Sequence, residues 1–193
     1  MTMLDLGPTA AEVARVVAGV RNDQLTGPTP CTDTPVAALL DHLVGLTYAF
    51  RLSAEKTPLP GAPQFRADSL PADWRTRLPA QLDELVAAWR KPEAWEGLTE
   101  AGGVRLPAGA IGLVALNEVL VHGWDLAAAT GQPYRPDDAS AQACLGFAAD
   151  FAAGNPEARN SIYGPVVPVP DDAPVFDRLL GQTGRDPGWS PAR

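Results

Sequence analysis

The sequence predicts an all-α fold, a four-helix bundle with one long crossover connection and additional C-terminal helices. Three observations carry this. Apolar residues recur at steps of three and four through long segments. Proline and glycine, 20 and 18 in number, gather between those segments as punctuation. No alternating run is long enough for more than a hairpin. At 193 residues the chain fits one domain, 1–193, with a Pro-rich C-terminal extension (about 155–193) packing on it.

The first helix is expected over Thr9–Arg21, with Ala10, Val13, Val16 and Val17 on one face. A loop rich in Pro and Thr, Asn22–Thr34, follows. The second helix has a start signal in Thr34 as N-cap and Pro35 at the first helical position, where a missing N–H costs nothing. Val36, Leu39, Leu43, Leu46 and Phe50 then form an apolar seam. Lys56–Pro71, holding Pro58, Pro60 and Pro63, reads as the crossover. A third helix covers Ala72–Trp89, and Pro79 should end, kink or restart it. Leu98–Pro107, with Gly102 and Gly103, is a short hairpin or an irregular loop. The fourth helix spans Ala108–Thr130 and closes at Gly131 as the C′ residue. The fifth covers Pro136–Ala153, opened by Asp137 and Asp138; a Pro-rich tail and a short helix near Ala173–Leu180 complete the chain.

A formal charge of -8, with no basic run, argues against nucleic-acid and anionic-membrane surfaces. The N-terminus lacks the basic and apolar regions of a signal peptide, and two cysteines are too few for a secreted disulfide scaffold. A cytoplasmic protein is expected.

The chemistry concentrates in the fourth helix, in Glu118-Val-Leu-Val-His122-Gly-Trp-Asp125. At about 100° per residue, His122 lies roughly 40° from Glu118, and Asp125 roughly 20° to the other side. A Glu and a His four apart can reach one ion. The plain alternative is the wet face of an amphipathic helix. Against it, Leu106–Thr130 holds no Lys or Arg, and the helix is apolar nearly all round. Buried acids and imidazoles need partners or a metal. His42, the other of two histidines, flanks the seam of the second helix. Its plain role is a half-buried imidazole bonded to a carbonyl or to Asp41. Together His42, Glu118 and His122 make a His₂Glu set, known for catalytic zinc with an open position. One carboxylate leaves that site net positive, suited to a hydroxide or thiolate.

Pro30-Cys31-Thr32-Asp33, with Leu39-Leu40-Asp41-His42-Leu43-Val44-Gly45, resembles the second-helix region of the actinobacterial DinB-like proteins. Those include the N-terminal domain of mycothiol-dependent maleylpyruvate isomerase. Glu118-x-x-x-His122-Gly-Trp-Asp125-Leu126 is similar to that family's second metal motif. Gly164-Pro-Val-Val-Pro-Val-Pro170 and Gly184-Arg-Asp-Pro187 resemble its C-terminal signature. The resemblance implies a DinB-type four-helix bundle and a divalent metal, zinc with nickel as the alternative, on His42, Glu118 and His122. Asp125 becomes a supporting or helix-packing residue. Mycothiol or another low-molecular-weight thiol is the implied cosubstrate, an electrophile the second substrate, and a homodimer is allowed. The chain has Thr34-Pro35 where relatives commonly carry Trp, and the isomerase's separate C-terminal domain is not matched, so isomerase activity is not implied.

Cys31 is expected to be a packed loop thiol, with metal ligation or redox chemistry the sharper alternative, and Cys144 a core thiol. Tyr48, Arg51 and Trp124 fall near the site by helical spacing, and Asn160, Ser161 and Tyr163 at a pocket mouth. Three functions compete: a thiol-dependent S-transferase, a zinc-dependent hydrolase, and a non-catalytic ligand-binding or structural module stapled by metal.

Overall fold

The computed structural model describes residues 3–57, 69–154, 159 and 163–191. It is mostly helical, with six α-helices among the described residues: α1 Gly7–Gly19, α2 Val36–Ala54, α3 Trp74–Trp89, α4 Ala108–Thr130, α5 Asp138–Gly154 and α6 Val175–Gln182. The departure from a purely helical chain is an antiparallel hairpin, β1 Leu98–Ala101 with β2 Val104–Pro107, turning on Gly102 and Gly103. This decides the hairpin-or-loop question in favour of the hairpin. It docks on the end of α2, where Thr99 Oγ1 donates to the Ser53 carbonyl at 2.6 Å.

α2 begins one residue later than its start signal suggested. Pro35 is the N-cap and Thr34 offers no side-chain cap. Instead the preceding loop curls back, and the first helical N–H groups of Val36 and Ala37 donate to the carbonyls of Gly27 and Leu25 at 3.0 and 2.9 Å. Orphan donors that any helix start must satisfy are thus met by backbone. α3 starts at Trp74 and runs through Pro79 without a break, giving up the one N–H that proline lacks. α4 ends where the sequence said. Gly131 takes φ 68°, and Gln132 and Gly131 donate to the Ala127 and Ala128 carbonyls at 2.9 and 3.2 Å, a Schellman closure.

α1 packs on α3 and α4, and α2 packs on the same two helices, so four helices enclose one core. Leu39, Leu43, Leu78, Leu85, Leu116 and Leu120 are fully buried there. α1 crosses α4 at Gly123, where a Cβ would stand 2.4 Å from Val13 and 2.7 Å from the Tyr134 hydroxyl. α4 is long and apolar enough, by length and composition, to cross a membrane, yet 67% of that window is buried inside the protein. Its hydropathy is that of a core helix. α5 lies on α4 and carries α6.

The predicted crossover falls largely on residues 58–68, which lie outside the described residues, as do Asn160 and Ser161 of the predicted pocket mouth. The tail from Tyr163 onward folds back over α4. Arg159 donates to the carbonyls of Gly164 and Gln182 at 2.7 and 2.6 Å, and Val167 N–H to that of Gly181 at 3.0 Å. Gly184 passes the Gly164 backbone with φ +77°, and a Cβ there would meet Gly164 atoms at 2.8 Å. A side chain is excluded twice over, by conformation and by space.

Candidate metal centre

Helical spacing puts Glu118 and His122 on one stripe of α4, and α2 lies against that stripe with His42. The three meet. Glu118 Oε2 stands 3.3 Å from His42 Nε2 and 3.2 Å from His122 Nε2, and the two rings lie edge to face with centroids 4.7 Å apart. The donor atoms of all three lie within 4.8 Å of one another. Two donors each about 2.0–2.1 Å from a tetrahedral ion stand roughly 3.3 Å apart. The two separations from Glu118 match that edge, and all three donors lie close enough together to meet at one zinc-sized ion.

The opposite edge of the His122 ring faces a second cluster. Nδ1 lies 2.9 Å from Asp125 Oδ2, one helical turn on, and 3.8 Å from Cys31 Sγ. Cys31 donates to Asp125 Oδ2 at 3.1 Å. Arg185, from the tail, reaches the same carboxylate with two donors, Nη2 to Oδ2 at 2.9 Å and Nε to Oδ1 at 3.3 Å. Its Nη2 also points at Cys31 Sγ at 3.1 Å. Cys31, His122 and Asp125 also satisfy the spacing of a metal set. The guanidinium already fills that set's need for a cation.

Burial works against charge throughout, and partners overcome it. Glu118 would be raised by burial, yet the hydrogen bonds of His122 and His42 hold it well below the usual carboxylate range. Burial disfavours the His122 imidazolium, but bonds to Asp125, Cys31 and Glu118 raise its pKa well above the ordinary value. Asp125, fully buried, is likewise pulled down against burial by His122 and Arg185. Without a metal the centre is thus an imidazolium held between two carboxylates.

A cavity of about 270 Å³ opens beside the centre, lined by Cys31, Asn117, Glu118, His122, Tyr163 and Arg185 among others. Tyr163, from the tail, closes one wall by donating to Asn117 Oδ1 at 2.8 Å. Among the described residues Asn117 Nδ2 has no nitrogen or oxygen partner and lies against the thiol of Cys144, a poor acceptor. Cys144 itself is a core thiol, pushed up to about 12 by burial.

This geometry meets a known family. The profile described as the mycothiol maleylpyruvate isomerase N-terminal domain matches residues 6–127, which contain Cys31, His42, Glu118, His122 and Asp125. The chain belongs to that family. Relatives of this family member include two uncharacterized proteins of Mycobacterium tuberculosis, from strains CDC 1551 and H37Rv. Each is 31% identical over 183 residues, 89% of this chain and 91% of the relative. No solved structure matches.

Of the residues singled out in the sequence, His42, Glu118 and His122 come together at one point, and Asp125 bonds the opposite edge of the His122 ring. Cys31 is not merely packed in its loop; it sits inside the second cluster. Tyr48 and Arg51 line a separate groove with Arg77 and Glu84, the guanidinium 5.2 Å from the Tyr48 ring centroid. Trp124 packs against the core. Arg185 carried no role in the sequence reading, although Gly184-Arg185 stood out as part of a signature.

Proposed function

We propose that this protein holds one zinc ion, with nickel the alternative, on His42 Nε2, Glu118 Oε2 and His122 Nε2, and transfers a low-molecular-weight thiol to an electrophile. The single observation that carries the reading is the convergence of three donors from two helices, with Glu118 at tetrahedral-edge spacing from both imidazoles, beside an open cavity. Membership in a family named for a mycothiol-dependent isomerase supports mycothiol, or a related thiol, as the cosubstrate. The helix packing and the family together support a DinB-type four-helix bundle as the core of a single 1–193 domain that carries the C-terminal extension; a cytoplasmic location belongs to the same proposal.

A zinc ion bound there would act as a Lewis acid that lowers the pKa of a ligating thiol. The chain's own residues do the rest. His42 and His122 supply neutral nitrogens, and Glu118 one negative charge, leaving a net positive site that favours an anionic sulfur. Asp125 accepts the His122 Nδ1 proton and so keeps Nε2 free to face the metal. Cavity walls of Asn117 and Tyr163 receive the body of the thiol. In the transfer, the S–H proton passes to solvent, a C–S bond forms, and the electrophile's leaving group departs with the electron pair of its broken bond.

A closed structural staple needs a fourth protein donor on the same side, and among the described residues no such donor joins the His42–Glu118–His122 set. The test is metal analysis of wild type beside His42→Ala and Glu118→Ala, followed by thiol conjugation of a model electrophile. Stoichiometric zinc in wild type, lost in both variants, with conjugation that depends on zinc and thiol together, is the expected result. Metal bound equally by the variants would sink the site. Hydrolysis without thiol would turn the reading to the hydrolase.

A further inference from the structure

The same imidazole offers two faces to a metal, and both satisfy the spacing of a three-ligand set. On the Nε2 face stand Glu118 and His42; on the Nδ1 face stand Asp125 and Cys31. A thiolate, an imidazole and a carboxylate are by ligand type the better trap for zinc, since soft sulfur binds it strongly. Something must decide between them.

We propose that Arg185 is the residue that decides, a built-in cation that closes the Cys31–Asp125 face of His122 and leaves the metal only the Glu118–His42 face. This rests on the metal reading above. Arg185 forks onto both oxygens of Asp125, at 2.9 and 3.3 Å, and touches Cys31 Sγ at 3.1 Å. It therefore lies against the two donors that the second set would need. Its side chain is 10% exposed and Asp125 is fully buried, so water screens neither. A divalent ion entering that face would meet a guanidinium at hydrogen-bond distance from two of its three ligands. With Asp125 so held, its remaining demand is met by His122 Nδ1, which fixes the ring and points Nε2 at Glu118.

Arg185 is itself held in place. Its Nη1 donates to the Thr183 carbonyl at 2.6 Å, and its backbone N–H to that of Leu180 at 2.8 Å. Gly184 delivers it through a left-handed turn pressed against Gly164. The residue lies outside the 6–127 span that matches the family profile, so His122 and the four residues around it come from one part of the chain and the cation that sorts them from another.

Cobalt substitution tests this, because a thiolate bound to cobalt adds a sulfur-to-metal charge-transfer absorption in the near ultraviolet. Cobalt-loaded wild type should lack that band. Arg185→Ala should acquire it, Cys31→Ser in the Arg185→Ala background should remove it, and affinity at the original site should fall about 10–100-fold. Arg185→Lys, which keeps charge without the fork, should stay closer to wild type; if Arg185→Ala does not fold, Arg185→Gln, which removes the charge and keeps much of the side-chain volume, takes its place and should acquire the same band. A wild-type spectrum and affinity in Arg185→Ala would overturn the proposal, as would a thiolate band in wild type. A metal-free arm separates this from failure of the metal reading. The His122 Nδ1 proton should exchange slowly in wild type and quickly in Arg185→Ala, and equal protection in the two would equally overturn the inference.

Discussion

The two sides of the His122 ring teach by contrast. Both carry a carboxylate from α4, at i−4 and i+3, and both recruit a third residue from elsewhere. On one side the third residue is His42, a metal-ligand type of side chain and not a permanent cation. On the other it is Arg185, and the cation is already covalently part of the chain. Side chains alone do not make a metal site; what matters is which charge has been left out. The Glu118 side is also partly open, its carboxylate 21% exposed, whereas Asp125 is sealed.

The largest effect should come from breaking the sealed side. Asp125→Ala strands a buried guanidinium, and loss of one partner of a buried pair costs about 3–5 kcal/mol. Denaturant unfolding of the metal-free protein measures it. His122→Ala, which touches both sides, should abolish stoichiometric zinc binding, read by elemental analysis, while the protein stays folded.

Next comes the backbone that presents Arg185. Gly184→Ala forces a Cβ into a left-handed turn and onto Gly164, worth about 1–3 kcal/mol in thermal or denaturant unfolding. Zinc affinity should weaken with it.

The pH dependence sharpens the contrast without mutation. In the metal-free protein His122 has its pKa raised, so its stabilising contribution is complete below the ordinary value near 6.5 and fades as pH climbs through the folded value. Glu118 is lowered, so its contribution is present above about 4.5 and fades as pH falls toward its folded value. Metal-free stability should therefore decline on both the acid and the alkaline side. Zinc must displace the His122 proton, so affinity should rise with pH beyond 6.5, with proton release measurable by calorimetry in buffers of different ionisation enthalpy.

The smallest effect belongs to Cys31→Ser in the otherwise intact protein. Cys31 is not a ligand on the open side, so zinc affinity should change by no more than about twofold, with a stability loss of about 1 kcal/mol from the altered contact to Asp125. A large loss of zinc would mean the metal prefers the wrong face.

The open side was legible in the sequence because it is written in helical periodicity. Glu118 and His122 four apart, on a helix without Lys or Arg, had to find a positive partner, and His42 on a neighbouring seam was available. The sealed side was not, for two physical reasons. Cys31 sits in a loop that Thr29 pins, its Oγ1 taking the Cys31 N–H at 3.1 Å and donating to the Thr34 carbonyl at 2.7 Å. No helical spacing describes such a path. Arg185 approaches Asp125 from 60 residues downstream, a pairing that no local pattern encodes. The missing cation of α4 was nonetheless a clue with two answers, one inorganic and one guanidinium. The same split marks the fold. Gly131 ended α4 as its sequence implied, whereas the start of α2 is met by loop carbonyls that no capping residue announces.

The fold-back of the tail onto α4 turns the far end of this chain into a handle on an imidazole at its centre. A fragment cut at residue 127 would retain all the donors yet leave Asp125 to choose its own company. Anything that grips, clips or fuses to the stretch around Arg185 would tune the affinity of a site it never touches.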